Sequence, residues 1–299
     1  MQWRLVSVFP CLFLASMGVR AEDSAAVTEL PETVITAARV PQSQREVIGD
    51  VTLITSKDLE VQRGQTLVDV LSEQAGVQFT SNGGVGKTTS VFLRGANAAH
   101  TLVLIDGMRY GSATTGAASL QNLPLEQIDR IEILRGAAAS LYGSDAIGGV
   151  IQIFTRQGGK TPKASVEVGL GSNNTREVNA NVAASVGDTR YALGVAHNET
   201  DGINAIRNPA NSSYYPDRDG YSNTSASLSV SHKINSENEV GANLLFAKSR
   251  NHYDSYVLDS SYNSVAQSYD YREDDKQGAA SVWSRHQLMQ NWTARLLAG

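Results

Sequence analysis

The stretch Arg176-Glu177-Val178-Asn179-Ala180-Asn181-Val182-Ala183-Ala184-Ser185-Val186 decides the fold class. Val178, Ala180, Val182, Ala184 and Val186 take every second position, and Glu177, Asn179, Asn181 and Ser185 fall between them. A β-strand sends successive side chains to opposite faces, so this stretch builds one apolar face and one polar face. Working outward, the same alternation recurs in residues 164–170, Tyr191-Leu193-Val195, Ala226-Leu228-Val230, Val240-Ala242-Leu244-Phe246 and Trp292-Ala294-Leu296. Short turns such as Gly187-Asp188 separate some of these runs, while residues 201–220 and 251–275 read as long loops.

Alternating strands with short turns at one end and long loops at the other are the pattern of an outer-membrane β-barrel. A soluble β-sandwich alternates as well. Here the apolar faces are mostly Ala and Val, which suits lipid better than a packed core. The polar faces are Asn, Ser and Thr with few charges, as a hydrated lumen requires. Residues 163–299 hold about seven such strands, whereas a barrel wide enough to surround a folded domain needs about 22. The expectation is therefore a partial barrel, C-terminally truncated relative to a closed one.

Composition agrees. The 299 residues have a mean hydropathy of −0.23, and no apolar run approaches the roughly 20 residues of a spanning helix. The balance of 25 Lys+Arg against 30 Asp+Glu gives no basic footprint for nucleic acid. At the N-terminus, Arg4 precedes the apolar residues 5–15, and Val19-Arg20-Ala21 offers a cleavage site. Residues 1–21 thus read as a secretory signal peptide. The single cysteine, Cys11, lies inside it, so an exported chain would carry no disulfide and would depend on packing and strand pairing. Losing Arg4 and Arg20 leaves 23 basic and 30 acidic residues, a net charge of −7.

Residues 22–45 contain Pro31 and Pro41 and little that could form a core, so they read as flexible. Within them Glu32-Thr33-Val34-Ile35-Thr36-Ala37 is β-prone and could add a strand to a partner's sheet edge. Residues 46–156 read as a compact α+β domain. Residues 51–54 form a strand, and Ser56 is placed as a helix N-cap. Thr66 and Asp69 resemble a capping box for a helix over 66–75 that stops at Gly76. Strands follow at 77–79, 91–93, 101–105, 131–134 and 147–154, with a turn at Asp106-Gly107 and a short helix after Pro124. Gly83-Gly84-Val85-Gly86-Lys87-Thr88 has a phosphate-loop look. The spacing fails, because Ser81 stands where the first glycine is needed and a strand follows in place of a helix.

Several of these stretches together resemble the TonB-dependent outer-membrane receptor family. They are the 32–37 run, Phe92-Leu93-Arg94-Gly95, Val103-Leu104-Ile105-Asp106-Gly107, Arg130-Ile131-Glu132-Ile133-Leu134-Arg135-Gly136, and residues 141–150. Within the family, Asn82 to Gly86, Ala98-Ala99-His100 and Gly143 to Val150 are similar to its cobalamin (corrinoid) receptors. The resemblance implies an α+β plug domain inside an antiparallel transmembrane β-barrel. It makes Glu32, Thr33, Val34, Ile35, Thr36 and Ala37 the TonB box. Arg94 and Arg135 are expected in ion pairs within the plug or with the wall, and Gly148-Gly149 in a close backbone approach.

The resemblance also implies substrate contacts from two plug loops, residues 80–90 and 110–117. These give Thr80, Asn82, Lys87, Thr88, Thr89, Ser90, Tyr110, Ser112, Thr114 and Thr115 as candidate ligand-binding residues. Lys87 departs from the neutral polar residue of the corrinoid receptors, which leaves an anionic ligand or a solvated lysine as alternatives. The long loops are acidic, with Asp217-Arg218-Asp219 in one and Asp254, Asp259, Asp270, Glu273, Asp274 and Asp275 in the other. Similar loops in the corrinoid receptors bind Ca²⁺, which takes six to eight oxygen ligands. Asp217, Asp219, Tyr253, Asp254 and Asp259 are the corresponding candidates, the alternative being a solvated acidic loop.

The implied function is energy-coupled import of a scarce, large ligand across the bacterial outer membrane, with TonB and membrane lipid as partners. A corrinoid is the expected ligand; a ferric siderophore, or a non-transporting binding or adhesion role, are the alternatives. His100, His197, His232, His252 and His286 are scattered without metal or triad spacing, so no enzyme is expected and no cofactor beyond possible Ca²⁺.

Overall fold

The computed structural model describes residues 33–34, 42–43, 49–112 and 116–299. The expected signal peptide lies outside them. Of the 32–37 run, only β1 (Thr33–Val34) is described; it pairs antiparallel with β2 (Gln42–Ser43).

The plug begins with β3 (Asp50–Ile54), followed by α1 (Ser56–Val61) and α2 (Leu67–Ser72). Both helices start on a capping box. Thr66 accepts from the Asp69 N–H at 3.2 Å, and the Asp69 carboxylate accepts from the Thr66 N–H at 2.9 Å. The same Thr-x-x-Asp spacing puts the first N-cap at Thr55, not Ser56, because Asp58 answers Thr55 in the same way. The second helix also ends earlier than expected, at Ser72, and the chain then turns through Gly76 at φ +72°.

A hairpin of β4 (Val77–Ser81) and β5 (Thr89–Leu93) carries the glycine-rich loop at its tip. The central sheet contains β6 (Thr101–Ile105), β7 (Met108–Arg109), β8 (Ile128–Arg135) and β9 (Gly149–Thr155). Its strand order is β3-β8-β9-β6-β7, with β6 and β9 parallel. Pro124 precedes a short 3-10 turn at Leu125–Gln127, where a helix was expected.

Ile131, Ile133, Ile151 and Ile153 of β8 and β9 are fully buried with Leu67, Val70 and Leu71 of α2. Leu102, Leu134 and Val150 fill a second cluster. At Gly149 an added Cβ would lie 2.3 Å from Leu93 Cδ2 and 2.5 Å from the Leu134 carbonyl, so only glycine lets these strands close. Arg94 and Arg135 form the expected ion pairs within the plug. Both reach Asp50, and Arg135 also donates to Thr52 Oγ1 at 2.7 Å.

The wall consists of β10 (Lys163–Gly171), β11 (Thr175–Val186), β12 (Thr189–Thr200), β13 (Tyr221–Lys233), β14 (Asn238–Leu258), β15 (Ser264–Met289) and β16 (Trp292–Ala298). They pair antiparallel in chain order as one seven-stranded sheet. Its apolar face is exposed: Val166, Val168, Val182, Leu193, Leu244, Phe246 and Val282 all face outward. The other face buries Asn179, Asn223, Ser225, Ser227, Ser229, Asn243, Ser249 and Asn251 toward the plug.

Residues 201–220 form the expected long connection. The expected loop at 251–275 is instead a hairpin, because β14 runs to Leu258 and β15 starts at Ser264. At 21 and 26 residues these strands are longer than the about 9–11 residues that cross a bilayer. Cross-strand pairs hold the extension. Arg250 lies opposite Asp274 with Nε–Oδ1 at 2.7 Å, and Tyr253 stacks on Tyr271 with centroids 5.6 Å apart.

Candidate functional site

The hairpin tip at 82–88 meets the wall where β13, β14 and the 201–220 connection come together. Its shape is set by glycines. Gly86 (φ +77°) lies flat on the Tyr221 ring, 2.0 Å from where a Cβ would stand, so a side chain there would collide with the ring. Asn251 Nδ2 donates to the Gly86 carbonyl at 2.6 Å, Asn82 N–H donates to Thr88 O at 3.2 Å, and Thr89 Oγ1 donates to Lys87 O at 2.8 Å.

This geometry turns Lys87 inward. The side chain is 5% exposed, and its ammonium donates to the backbone carbonyls of Asp219 (3.2 Å), Gly220 (3.4 Å) and His252. Burial lowers its pKa, and the carboxylates of Asp219, Asp254, Asp270 and Glu273 oppose that shift. Lys87 is therefore neither solvated nor presented to an incoming ligand.

The other predicted contacts divide the same way. Thr80, Asn82, Thr88 and Ser112 are exposed and Ser90 is half-buried, whereas Thr89 and Tyr110 are buried. Burial also raises the Tyr110 phenol pKa, and its hydroxyl donates to Gln277 of β15. Thr114 and Thr115 lie outside the described residues. Tyr110 braces plug to wall, as does Asn122. Asn122 Nδ2 donates to Asp275 at 3.0 Å, and its Oδ1 accepts from Tyr221 OH at 3.0 Å. Gln127 Nε2 donates to Ser225 Oγ at 3.1 Å.

The candidate calcium residues do not come together as one set. Asp259 sits at the tip of the β14–β15 hairpin, where its carboxylate accepts from Ser261 N–H at 2.8 Å and Asn263 N–H at 2.9 Å. Asp219 and Asp254 line a cavity of about 210 Å³ with Lys87, Asn251, Tyr253 and Glu273. Asp219 accepts from Ala205 N–H at 2.7 Å and Asp254 accepts from Tyr215 N–H at 3.1 Å. Asp217 lies beside them, its pKa raised by partial burial and by Asp270 and Asp219. Among the described residues, no three acidic or histidine side chains are grouped as a metal site. The donor set does not fit Ca²⁺, because an ammonium already holds the carbonyls at its centre.

One lumen-side feature escaped the sequence reading. Tyr253, Tyr271 and Tyr269 form an aromatic ladder, with Tyr269 and Tyr271 centroids 5.9 Å apart. The Tyr-x-Tyr spacing at 269–271 was its only signal, and it was masked by the surrounding carboxylates. Tyr253 lines the same cavity as Asn82 and Thr88, and Val85 is exposed in the loop between those two residues.

Residues 43–150 match the TonB-dependent Receptor Plug Domain family. The Vitamin B12 transporter BtuB of Vibrio cholerae serotype O1 is 34% identical over 263 residues, covering 88% of this chain and 41% of that protein. BtuB of Photobacterium profundum is 36% identical over 198 residues, covering 66% of this chain and 32% of that protein. Among solved structures, the siderophore receptor PirA from Acinetobacter baumannii has a TM-score of 0.66 at 23% identity, over 83% of this chain and 39% of its own. A mutant of the ferric enterobactin receptor PfeA from Pseudomonas aeruginosa has a TM-score of 0.67 at 22% identity, over 88% of this chain and 41% of its own. At those identities the likeness is one of fold. The chain spans 41% of the length of the V. cholerae relative.

Proposed function

Because the chain belongs to the TonB-dependent receptor family, proteins of the bacterial outer membrane, we propose that it serves energy-coupled import of a corrinoid such as cobalamin. The observation that carries the ligand class is the 34% identity to vitamin B12 transporters across both plug and wall. The exposed loop residues support it. Thr80, Asn82, Thr88 and Ser112 expose hydroxyl and amide groups, and Val85 and Tyr253 expose apolar surface, a mixture that suits a large ligand with both apolar and amide edges. Ser90, Thr114 and Thr115 are further proposed contacts, while Lys87 and Tyr110 are buried against the wall and Thr89 braces the Lys87 carbonyl.

Residues 32–37 then act as the TonB box. A β-prone segment offers main-chain hydrogen bonds to a partner's sheet edge, and a pull on it reaches the plug through β3. No covalent step is assigned to any residue, and no cofactor is required. Deleting residues 30–38 is expected to abolish uptake of radiolabelled cyanocobalamin while equilibrium binding stays intact. Tighter binding of ferric enterobactin than of cyanocobalamin would replace the corrinoid reading with a siderophore one. Unchanged uptake in the deletion would remove energy coupling altogether.

A further inference from the structure

Lys87 is a single side chain from the plug, yet its ammonium ends among groups of the wall. Its three N–H donors meet three backbone carbonyls: Asp219 and Gly220 at the end of the 201–220 connection, and His252 on β14. Those carbonyls converge on one point from two elements, with the carboxylates of Asp219, Asp254 and Glu273 lining the same cavity. Asn251 Oδ1 and Asp254 Oδ1 are buried there with no hydrogen-bond partner, so the cavity has more oxygen acceptors than the protein has donors for. Convergent carbonyls, carboxylates and unpaired oxygens make up the ligand chemistry of a hard cation. Here the cation is covalently part of the chain. A lysine ammonium is a compact charge on a flexible stem, so it can reach this point and fill it.

We infer that Lys87 is a built-in cation that latches the plug tip to the wall and makes this contact independent of free divalent ions. The stem fits closely: an added Cβ at Gly83 would stand 3.1 Å from Lys87 Cγ, so the loop folds over the lysine itself. Removing the ammonium leaves the carbonyls and carboxylates facing one another, which is unfavourable unless another cation enters. The latch thus predicts an exchange of dependence. The native protein ignores Ca²⁺, and a variant with charge and stem removed acquires a need for it.

The test is hydrogen exchange of residues 83–88 and 203–220 in the detergent-solubilised receptor, with EDTA or with millimolar CaCl₂. The native protein is expected to show the same protection in both. Lys87→Ser, which vacates the stem, should exchange at least about tenfold faster in EDTA, with protection restored by Ca²⁺; tenfold corresponds to about 1.4 kcal/mol. Lys87→Met keeps the stem without the charge and should exchange faster in both buffers, which separates charge from packing if the serine variant fails to fold. Native protection that falls in EDTA, a Lys87→Met variant indistinguishable from native, or a Lys87→Ser variant unaffected by Ca²⁺ would each overturn the inference.

Discussion

The interior of the plug and the seam between plug and wall are built from opposite materials. Inside the plug, Ile131, Ile133, Ile151 and Ile153 pack with α2, and the buried Arg135 is answered by Asp50 and Thr52. Across the seam the contacts are amides, hydroxyls and an ammonium: Asn122, Gln127, Tyr110, Asn251 and Lys87. Apolar burial is non-directional and accumulates with area, so it holds the plug together as a unit. Hydrogen bonds across a seam contribute little net free energy once water can replace them. The plug can therefore keep its fold while its grip on the wall is exchanged for water, as the proposed energy-coupled import requires.

That contrast can be broken from either side. The largest effect is expected inside. Ile133→Ala should cost about 2–5 kcal/mol, read as faster exchange of β8 and β9 amides with seam amides accelerated to the same degree. Loss confined to the seam would mean that the interior is not one cooperative unit. At the seam, Asn122→Ala removes one of the hydrogen-bond partners of both Asp275 and Tyr221 and should cost about 1–3 kcal/mol. The expected sign is earlier release of the plug in urea, with β8 and β9 protection unchanged while it is still docked.

The smallest effect concerns a buried carboxylate in the plug. Asp106 accepts from the Thr155 N–H at 3.0 Å and from the Thr155 hydroxyl at 2.7 Å, and burial pushes its pKa up. A carboxyl with a raised folded pKa favours the fold most below its unfolded value and loses that contribution as pH rises through the folded value. Asp106→Asn keeps both partners and tolerates the left-handed φ of +52°. Its stability relative to the native protein should rise from pH 4 upward and then level off, followed by urea midpoints across that range. A relative fall with pH would mean that Asp106 is held as a needed anion.

Much of this was legible in the chain. The alternation around 176–186 gave the two-faced wall, and the Thr66–Asp69 box gave α2, because both depend on neighbours within a few residues. The 251–275 segment misled for the same reason. Its density of Asp and Glu looks like a solvated loop until Arg250 is seen opposite Asp274 and Tyr253 on Tyr271. Lys87 was read as solvated or ligand-facing because the carbonyls that hold it lie 132 or more positions away.

Local periodicity and capping, which need only the 3.3–3.4 Å rise of a strand or the turn of a helix, were written in the sequence itself. Tertiary structure alone decided the distant partners: Lys87 to the wall carbonyls and Asn122 to Asp275. Such pairings depend on which distant segments the closed fold brings within hydrogen-bond range, and charge has no periodicity that would announce them.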